Sequence, residues 1–457
     1  MNAITPTSAP KAPSVRGLPL LGSFFEFRRN TLNAMMAGFQ RHGDLVRYRL
    51  GPLTVYAVSS PELAGELLSD DGRFGKLGED SPLRLVLGNG LLTSSDRMTW
   101  LRNRRVMQPI YTKQSVARFA DIMIASTDEW LDRLAWRYPP GANIDIHYEL
   151  TRVTLDVVSR CLFGADILDE VEAMGPNAID VAVNFAFRRL LQNPLSPPLH
   201  WPTLGNRRFH RVVGAMDAMI YRLIADRRAN GPRGGDLLDI LLACRDRDTG
   251  EGMSDVELRD EVITAFSAGH ETTAVALSWT FYLLSRHPEK LRRLLDEVEA
   301  QLGSRPPTLA DLPNLPYTLQ VFEETMRLYP PAPILPRYVH VDTTIGGYRV
   351  NEGSWALANL FNVQRHPAHW PDPHRFEPDR FEPVGRRAWH RYAYLPFGGG
   401  MHLCIGKHFA LLEAHLLLAA LVQRFNLRLV DSHRVEMHAT LTMRPRYGMQ
   451  MIIHPRQ

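Results

Sequence analysis

Phe397-Gly-Gly-Gly-Met-His-Leu-Cys404-Ile-Gly406 sets one cysteine on a glycine-rich loop, and a long amphipathic stretch, Lys407 to Phe425, starts directly behind it. A thiolate in that place lies at a helix N-terminus, where unpaired backbone N–H groups and the helix dipole stabilise negative charge. Glycines 398, 399, 400 and 406 carry no Cβ, so the loop can fold tightly and a flat partner can approach its backbone. An isolated cysteine is usually a small buried hydrophobe. That reading suits Cys161 in DVVSRCLFG and Cys244 in DILLACRDR, both at helical spacing.

Outward from this loop the chain divides by texture. Residues 1–30 are Pro-rich and read as an extended N-terminal segment without a membrane anchor; residues 31–457 read as a single domain with no linker inside it. Leu45–Leu50 and Leu53–Val58 alternate on either side of Gly51-Pro52 and predict a hairpin. From Pro61 to about Leu328 the periodicity is helical, in PELAGELLSD, in VARFADIMIASTDEWLDRLAWR and in FHRVVGAMDAMIYRLIADRR. Asp255–Arg286 is the longest such run, about 45 Å at helical rise, with Pro288 ending it. After Tyr329 come PPAPILPR, short β segments such as YVHV and TIGGYRV, and a Pro/His-rich loop; further β segments follow the helix behind Cys404. The fold class is therefore mainly α with a minor β portion.

With 45% hydrophobic and 22% charged residues among 457, the composition is that of an ordinary globular protein. The net charge of +4 rests on arginine, since only five of the 53 basic residues are lysine. So small an excess argues against a nucleic-acid protein and is compatible with a basic face that docks an acidic partner. Three cysteines make no paired framework, which suits a reducing cytoplasm. The N-terminal stretch lacks both the roughly 18 apolar residues of a membrane span and the pattern of a signal peptide.

Four motifs in order along the chain give the decapeptide its meaning. Phe-x-x-Gly-x-(Arg/His)-x-Cys-x-Gly resembles the haem-binding loop of the cytochrome P-450 monooxygenases, with Cys404 as the iron ligand and Phe397, His402 and Gly406 about it. Ala268-Gly-His-Glu-Thr-Thr273 is similar to the family's oxygen-activation signature, which makes Glu271 the acid and Thr272 the hydroxyl of proton delivery. Gly269 inside a helix costs about 1 kcal/mol against alanine, and a flat ligand lying on Ala268 and Gly269 is the expected reason. Thr272 can hydrogen-bond the Ala268 carbonyl four residues back and open the helix locally. Glu324-Thr-Met-Arg327 resembles the family's Glu-x-x-Arg pair, joined by Arg380 of Phe376-Glu-Pro-Asp-Arg-Phe381 in a structural charge network. Trp100 and Arg104 match Trp-x-x-x-Arg, which implies an indole N–H and a guanidinium on the haem propionates, and Arg337 resembles a second propionate partner.

The resemblance spans essentially the whole chain and implies a soluble, bacterial-type, cytoplasmic cytochrome P-450 with haem b (iron protoporphyrin IX). It implies reductive activation of O2 at Cys404-ligated iron, one oxygen entering the substrate by hydroxylation or epoxidation and the other leaving as water. Electrons then come from a ferredoxin or flavodoxin with its reductase, docking on Arg97, Arg102, Arg105, Lys113 and Lys407; a monomer is expected. A gas sensor, an electron carrier or a peroxide-fed peroxygenase would not need Glu271-Thr272. By family analogy Leu77–Thr93, Phe185–Leu191, Ala265–Thr272, Ala332–Leu335 and the surroundings of Leu441 line the pocket. Their apolar character implies a middle-sized terpenoid, steroid, fatty acid or polyketide, with Arg84, Arg188 and Arg189 as candidate carboxylate partners. The histidines of RHPAHWPDPH fit no usual zinc spacing.

Overall fold

The computed structural model describes residues 8–70, 72–76, 81–164, 167–174, 178–192, 196–246 and 250–456. The chain forms two compact units: Met1–Gly78 with Gln320–Cys404 and Met437–Met443, and Glu79–Leu319 with Ile405–Glu436 and Arg444–Gln457.

The first unit is built on a five-stranded sheet. Its strands run in the order Leu45–Leu50, Leu53–Val58, Trp355–Asn359, Ile334–Val339 and Phe74–Gly75. The hairpin predicted around Gly51 is present in register from Leu45↔Val58 to Leu50↔Leu53, with Gly51 at φ +62° making the turn. Leu53–Val58 then pairs parallel with Trp355–Asn359. One face of the sheet packs Val58, Leu67, Phe74, Val339, Ala356 and Val363 into a closed core. The expected extended N-terminal segment gives way early. A helix spans Phe24–His42, broken at Asn30 (φ −162°, ψ 95°), and the preceding segment pairs singly with the sheet and its neighbours at Lys11↔Arg349 and Ser14↔Arg47.

The second unit is helical, with one small sheet of Ala142–Asp145, Gln450–Pro455 and Phe425–Leu429. Its axis is the helix Asp255–Arg286, whose bounds agree with the sequence expectation. Ser254 and Glu257 form a reciprocal capping box at its start, and the next helix opens on Pro288. Most of its residues from Leu258 to Leu284 are buried, and the less covered positions gather around Ala265–Thr272. The expected helix Val116–Arg137 is two helices, Lys113–Ala117 and Ala120–Arg137. The Arg118 and Phe119 N–H groups close tight three-residue turns onto Ser115 and Val116 and interrupt the α ladder. Cys161 is buried as expected, whereas Cys244 is half-buried, because its helix, Leu237–Ala243, ends just before it.

Candidate active site

The cysteine loop closes on itself through its backbone. The Cys404 N–H donates to Phe397 O at 2.9 Å, Gly398 N–H to Leu395 O at 2.9 Å, and Leu403 N–H to Gly400 O at 3.2 Å. Gly398 and Gly400 sit at φ +74° and +67°, and a Cβ on Gly400 would lie 1.9 Å from the Leu68 carbonyl oxygen. Those two glycines are obligatory. Gly399 (φ −158°) and Gly406 (φ −79°) have conformations open to any residue, so the loop's tightness rests on half of its glycines. His402 lies half-buried in the single turn Gly400–His402, Cys404 is exposed, and the helix Lys407–Arg424 opens three residues after the cysteine.

Behind the loop the expected charge network is present, with the Glu324–Arg327 pair fully buried and Arg380 half-buried. Arg327 Nε and Nη2 grip the two Glu324 oxygens at 2.6 and 2.8 Å. Its remaining donors reach Gln364 O (2.9 Å), Pro373 O (2.8 Å) and Arg375 O (3.0 Å), so all five N–H groups of the guanidinium are used. Burial pushes the Glu324 carboxyl up, and Arg327 and the Glu377 N–H oppose that. Arg380 stands 3.6 Å from Glu324. Gln364, absent from the sequence reading, ties this network to the loop: its Nε2 donates to Met326 O and Arg327 O, and its Oε1 accepts Leu395 N–H at 2.8 Å. A buried glutamine in a loop has no sequence signal.

Arg337, on the strand Ile334–Val339 of the same unit, is the opposite case. Only 6% of it is exposed, its Nη1 reaches no further than Pro336 O (2.9 Å), and it forms no ion pair among the described residues. Burial pushes the guanidinium down to about 10. A buried cation of this kind calls for an anion. A haem propionate is such an anion, and beside that strand a Cβ on Gly398 would meet Leu335 at 3.2 Å. The residues present therefore fit a haem.

In the second unit, Thr272 Oγ1 donates to Ala268 O at 2.9 Å, the bond expected from sequence, and the helix runs through it without the expected local opening. Glu271 beside it is buried. In the middle of this helix Ala268 is exposed and Ala265, Ser267, Gly269 and Thr272 are half-buried, and the spacing of 265, 268, 269 and 272 places those four on one face. Gly269 departs from expectation: its missing Cβ points at Val158, with Cγ2 3.0 Å away, so the glycine admits the helix Ile146–Phe163 at close range. His270 is buried, its Nδ1 2.8 Å from Phe266 O.

Trp100 is buried on the helix Arg97–Met107, and its indole N–H donates to Leu91 O at 3.1 Å, which ties the indole to the preceding loop. Arg104 lies half-buried one turn on. Of the expected basic face, Arg102 is committed to Glu257. Lys113 and Lys407 both lie close enough to His408 to lower its pKa, after burial as the first cause. Of the anticipated pocket residues, Leu77–Asp80 and the side chains of Leu190 and Leu191 lie outside the described residues. Phe185 stacks on Phe209 at 4.8 Å; Arg189 donates to Pro197 O, Arg84 is half-buried and Arg188 is exposed. His366 and His369 pair with Asp44 (3.1 Å) and Glu62 (3.3 Å). Among the described residues no helix is long and apolar enough to cross a membrane.

A family model for cytochrome P450 matches residues 10–452. The chain is 36% identical to a cyclooctatin synthase of Streptomyces melanosporofaciens, over 96% of this chain and 93% of that one. It is 35% identical to a pentalenene oxygenase of Streptomyces avermitilis, over 96% and 94%. A crystal structure of the cytochrome P450DA heme domain superposes with TM-score 0.89 at 28% identity, covering 98% of each chain. The chain belongs to the cytochrome P450 family: it is a monooxygenase with haem b as cofactor, and it works with O2, a substrate and a redox partner.

Proposed function

We propose that this cytochrome P450 oxygenates a terpenoid, inserting one atom of O2 into an unactivated C–H bond or across a C=C bond of an apolar, middle-sized skeleton. The observation that carries the reading is the naming of its relatives: a cyclooctatin synthase, a pentalenene oxygenase and a cyclooctat-9-en-7-ol 5-monooxygenase, 34–36% identical over at least 90% of this chain. The uncovered helix face at Ala265, Ala268 and Thr272, which offers a hydrocarbon no charge, supports it.

Each residue's part follows from its surroundings. Cys404 would hold the haem iron through its thiolate, and the backbone ring from Phe397 to Cys404 fixes the loop that carries it. Arg337 takes a propionate, the anion its burial calls for, and Arg104 is a propionate partner by its place in the Trp-x-x-x-Arg motif. Haem b, bound through Cys404, supplies the reductive activation of O2. Thr272 already gives its own proton to Ala268 O, which leaves the Oγ1 lone pairs to accept from a water. Glu271, one residue before it, is the acid that replaces the proton passed on. Electrons come from an acidic ferredoxin or flavodoxin, attracted by Arg97, Arg105, Lys113 and Lys407.

The test is a binding screen read by the Soret shift, offering sesqui- and diterpene hydrocarbons, steroids and fatty acids to the purified holoprotein. Surrogate-driven turnover under 18O2 then follows with the best binder. Micromolar binding of terpenes and one labelled oxygen in the product are expected. A response to fatty acids or steroids with none to terpenes would overturn the substrate class.

A further inference from the structure

Ten residues before the catalytic acid, the long helix carries a second acidic site that the reaction does not use. Asp260 and Glu261 are consecutive and both buried, Glu261 with no exposed surface. Each takes a backbone N–H from the same loop: Asn89 N–H to Asp260 Oδ2 at 2.7 Å, and Leu91 N–H to Glu261 Oε2 at 3.1 Å. The other Glu261 oxygen accepts Asn103 Nδ2 at 2.9 Å, from the helix Arg97–Met107. Leu91 then passes the constraint on, because its carbonyl accepts the indole N–H of Trp100. One turn earlier on the long helix, Glu257 grips Arg102 of the same short helix. Arg259, between these acids, ties Asp260 (3.0 Å) to Asp217 (2.8 Å) on the helix Leu204–Asn230.

The fit is close enough to dictate residue type. Gly88 sits at φ +57°, and a Cβ there would lie 1.9 Å from Asp260 Oδ1; one on Gly90 would lie 2.3 Å from Thr264 Oγ1 and 2.5 Å from the Asp260 carbonyl oxygen. The loop is thus pressed onto the turn at Asp260–Thr264. Ala268 is the next residue on that side, about 6 Å further along the axis. Leu85 and Leu92, near the ends of the clamped segment, remain 40% and 39% exposed, apolar side chains with little protein over them.

We propose that Glu261, with Asp260 beside it, is a positioning residue. It sets the loop Leu85–Thr93 as one wall of the substrate space and, through Leu91 and Asn103, sets the helix that presents Arg104 to the haem. Substrate selectivity is therefore governed partly by a carboxylate that touches neither substrate nor haem. The selectivity part of this inference rests on the terpenoid reading above; the haem part does not.

The experiment compares the holoproteins of wild type, Glu261→Ala, Glu261→Gln and Glu297→Ala. Glu297 is the control, a carboxylate that likewise takes backbone N–H groups, those of Tyr317 (2.7 Å) and Thr318 (2.8 Å), away from this loop. Two quantities are read besides the thermal midpoint: Soret-shift Kd values over a ladder of terpenes of increasing size, and the rate of haem transfer to apomyoglobin. Stranding the Leu91 and Asn103 donors in Glu261→Ala should weaken binding of the preferred terpene about tenfold, flatten the ladder and speed haem transfer by a similar factor. Glu261→Gln should recover most of both, since its amide oxygen still accepts from Leu91. Glu297→Ala should lower the midpoint alone. If Glu261→Ala behaves like Glu297→Ala, or if Gln recovers nothing, Glu261 is merely structural and the proposal falls. Should Glu261→Ala not fold, Gly90→Ala displaces the same loop and must flatten the ladder. Should wild type bind no terpene, the substrate reading fails by itself, and equal haem-transfer rates in wild type and Glu261→Ala then overturn the positioning role.

Discussion

Arg327 and Arg337 are ten residues apart, buried in the same unit, and opposite in their bonding. Around Arg327 the protein completes every interaction: five donors, five acceptors, two of them on the carboxylate of Glu324. Around Arg337 it supplies one neighbouring carbonyl and no acid among the described residues. Desolvating a cation is costly in both places. The difference sets a self-sufficient network against a buried charge that the described residues leave unbalanced, which is the ground for proposing a propionate at Arg337.

The most severe way to break that comparison is Arg327→Ala. Glu324 would be left buried without its partner, a change that typically costs about 3–5 kcal/mol. Because Gln364 links the network to the loop before Cys404, the variant should yield little folded holoprotein. Normal haem content and thermal midpoint would remove the scaffold role.

Thr272→Ala tests a site whose donor is committed to Ala268 and whose acceptor capacity is left over. Haem content and the reduced carbon monoxide spectrum should stay as in wild type. Product per NADH should fall about 10²–10⁴-fold, with hydrogen peroxide appearing in its place. Unchanged coupling would assign proton delivery elsewhere.

Arg337→Leu sharpens the contrast by its sign. Removing an unbalanced buried cation should leave the apoprotein as stable as wild type or more so, while haem is held about ten- to a hundredfold more weakly. A destabilised apoprotein with normal haem affinity would show that Arg337 is scaffold after all.

The smallest effect expected is a pH dependence. His415 is buried with its Nε2 2.9 Å from Leu315 O, and burial pushes its pKa down to about 4, the carbonyl opposing. The native state keeps the ring neutral, whereas an unfolded chain protonates it near 6.5. Its contribution to stability is therefore whole above pH 6.5 and drains away as pH falls towards 4, amounting to about 2 kcal/mol between pH 7 and 5. His415→Gln should flatten that part of the profile. Equal slopes in melts of the two proteins would rule it out.

Much of this was legible in the chain. The bounds of Asp255–Arg286 are set by local chemistry, with a capping serine before it and Pro288 after it. The hairpin around Gly51, the Glu324–Arg327 pair and the Thr272–Ala268 bond depend on spacings of a few residues, which sequence displays directly. What the sequence did not display are the partners these residues find in the fold: the Trp100 indole N–H meets Leu91 O, and the Cβ position of Gly269 faces Val158, more than a hundred residues away. Gln364 carried no pattern at all. Nor did Glu413, a carboxyl that burial pushes well up, with the Thr273 hydroxyl as its opposing partner.

The sequence by itself determined the family and the main helices, and it pointed to Cys404 and the Glu271–Thr272 pair, because each is encoded by residue types at short, regular separations. Only the tertiary structure decided which donor each buried group found: the five acceptors of Arg327, the bare guanidinium of Arg337, the loop clamped by Asp260 and Glu261. The physical reason is that a buried polar group must bond whatever packing brings to it, and packing joins residues that are neighbours only in the folded chain.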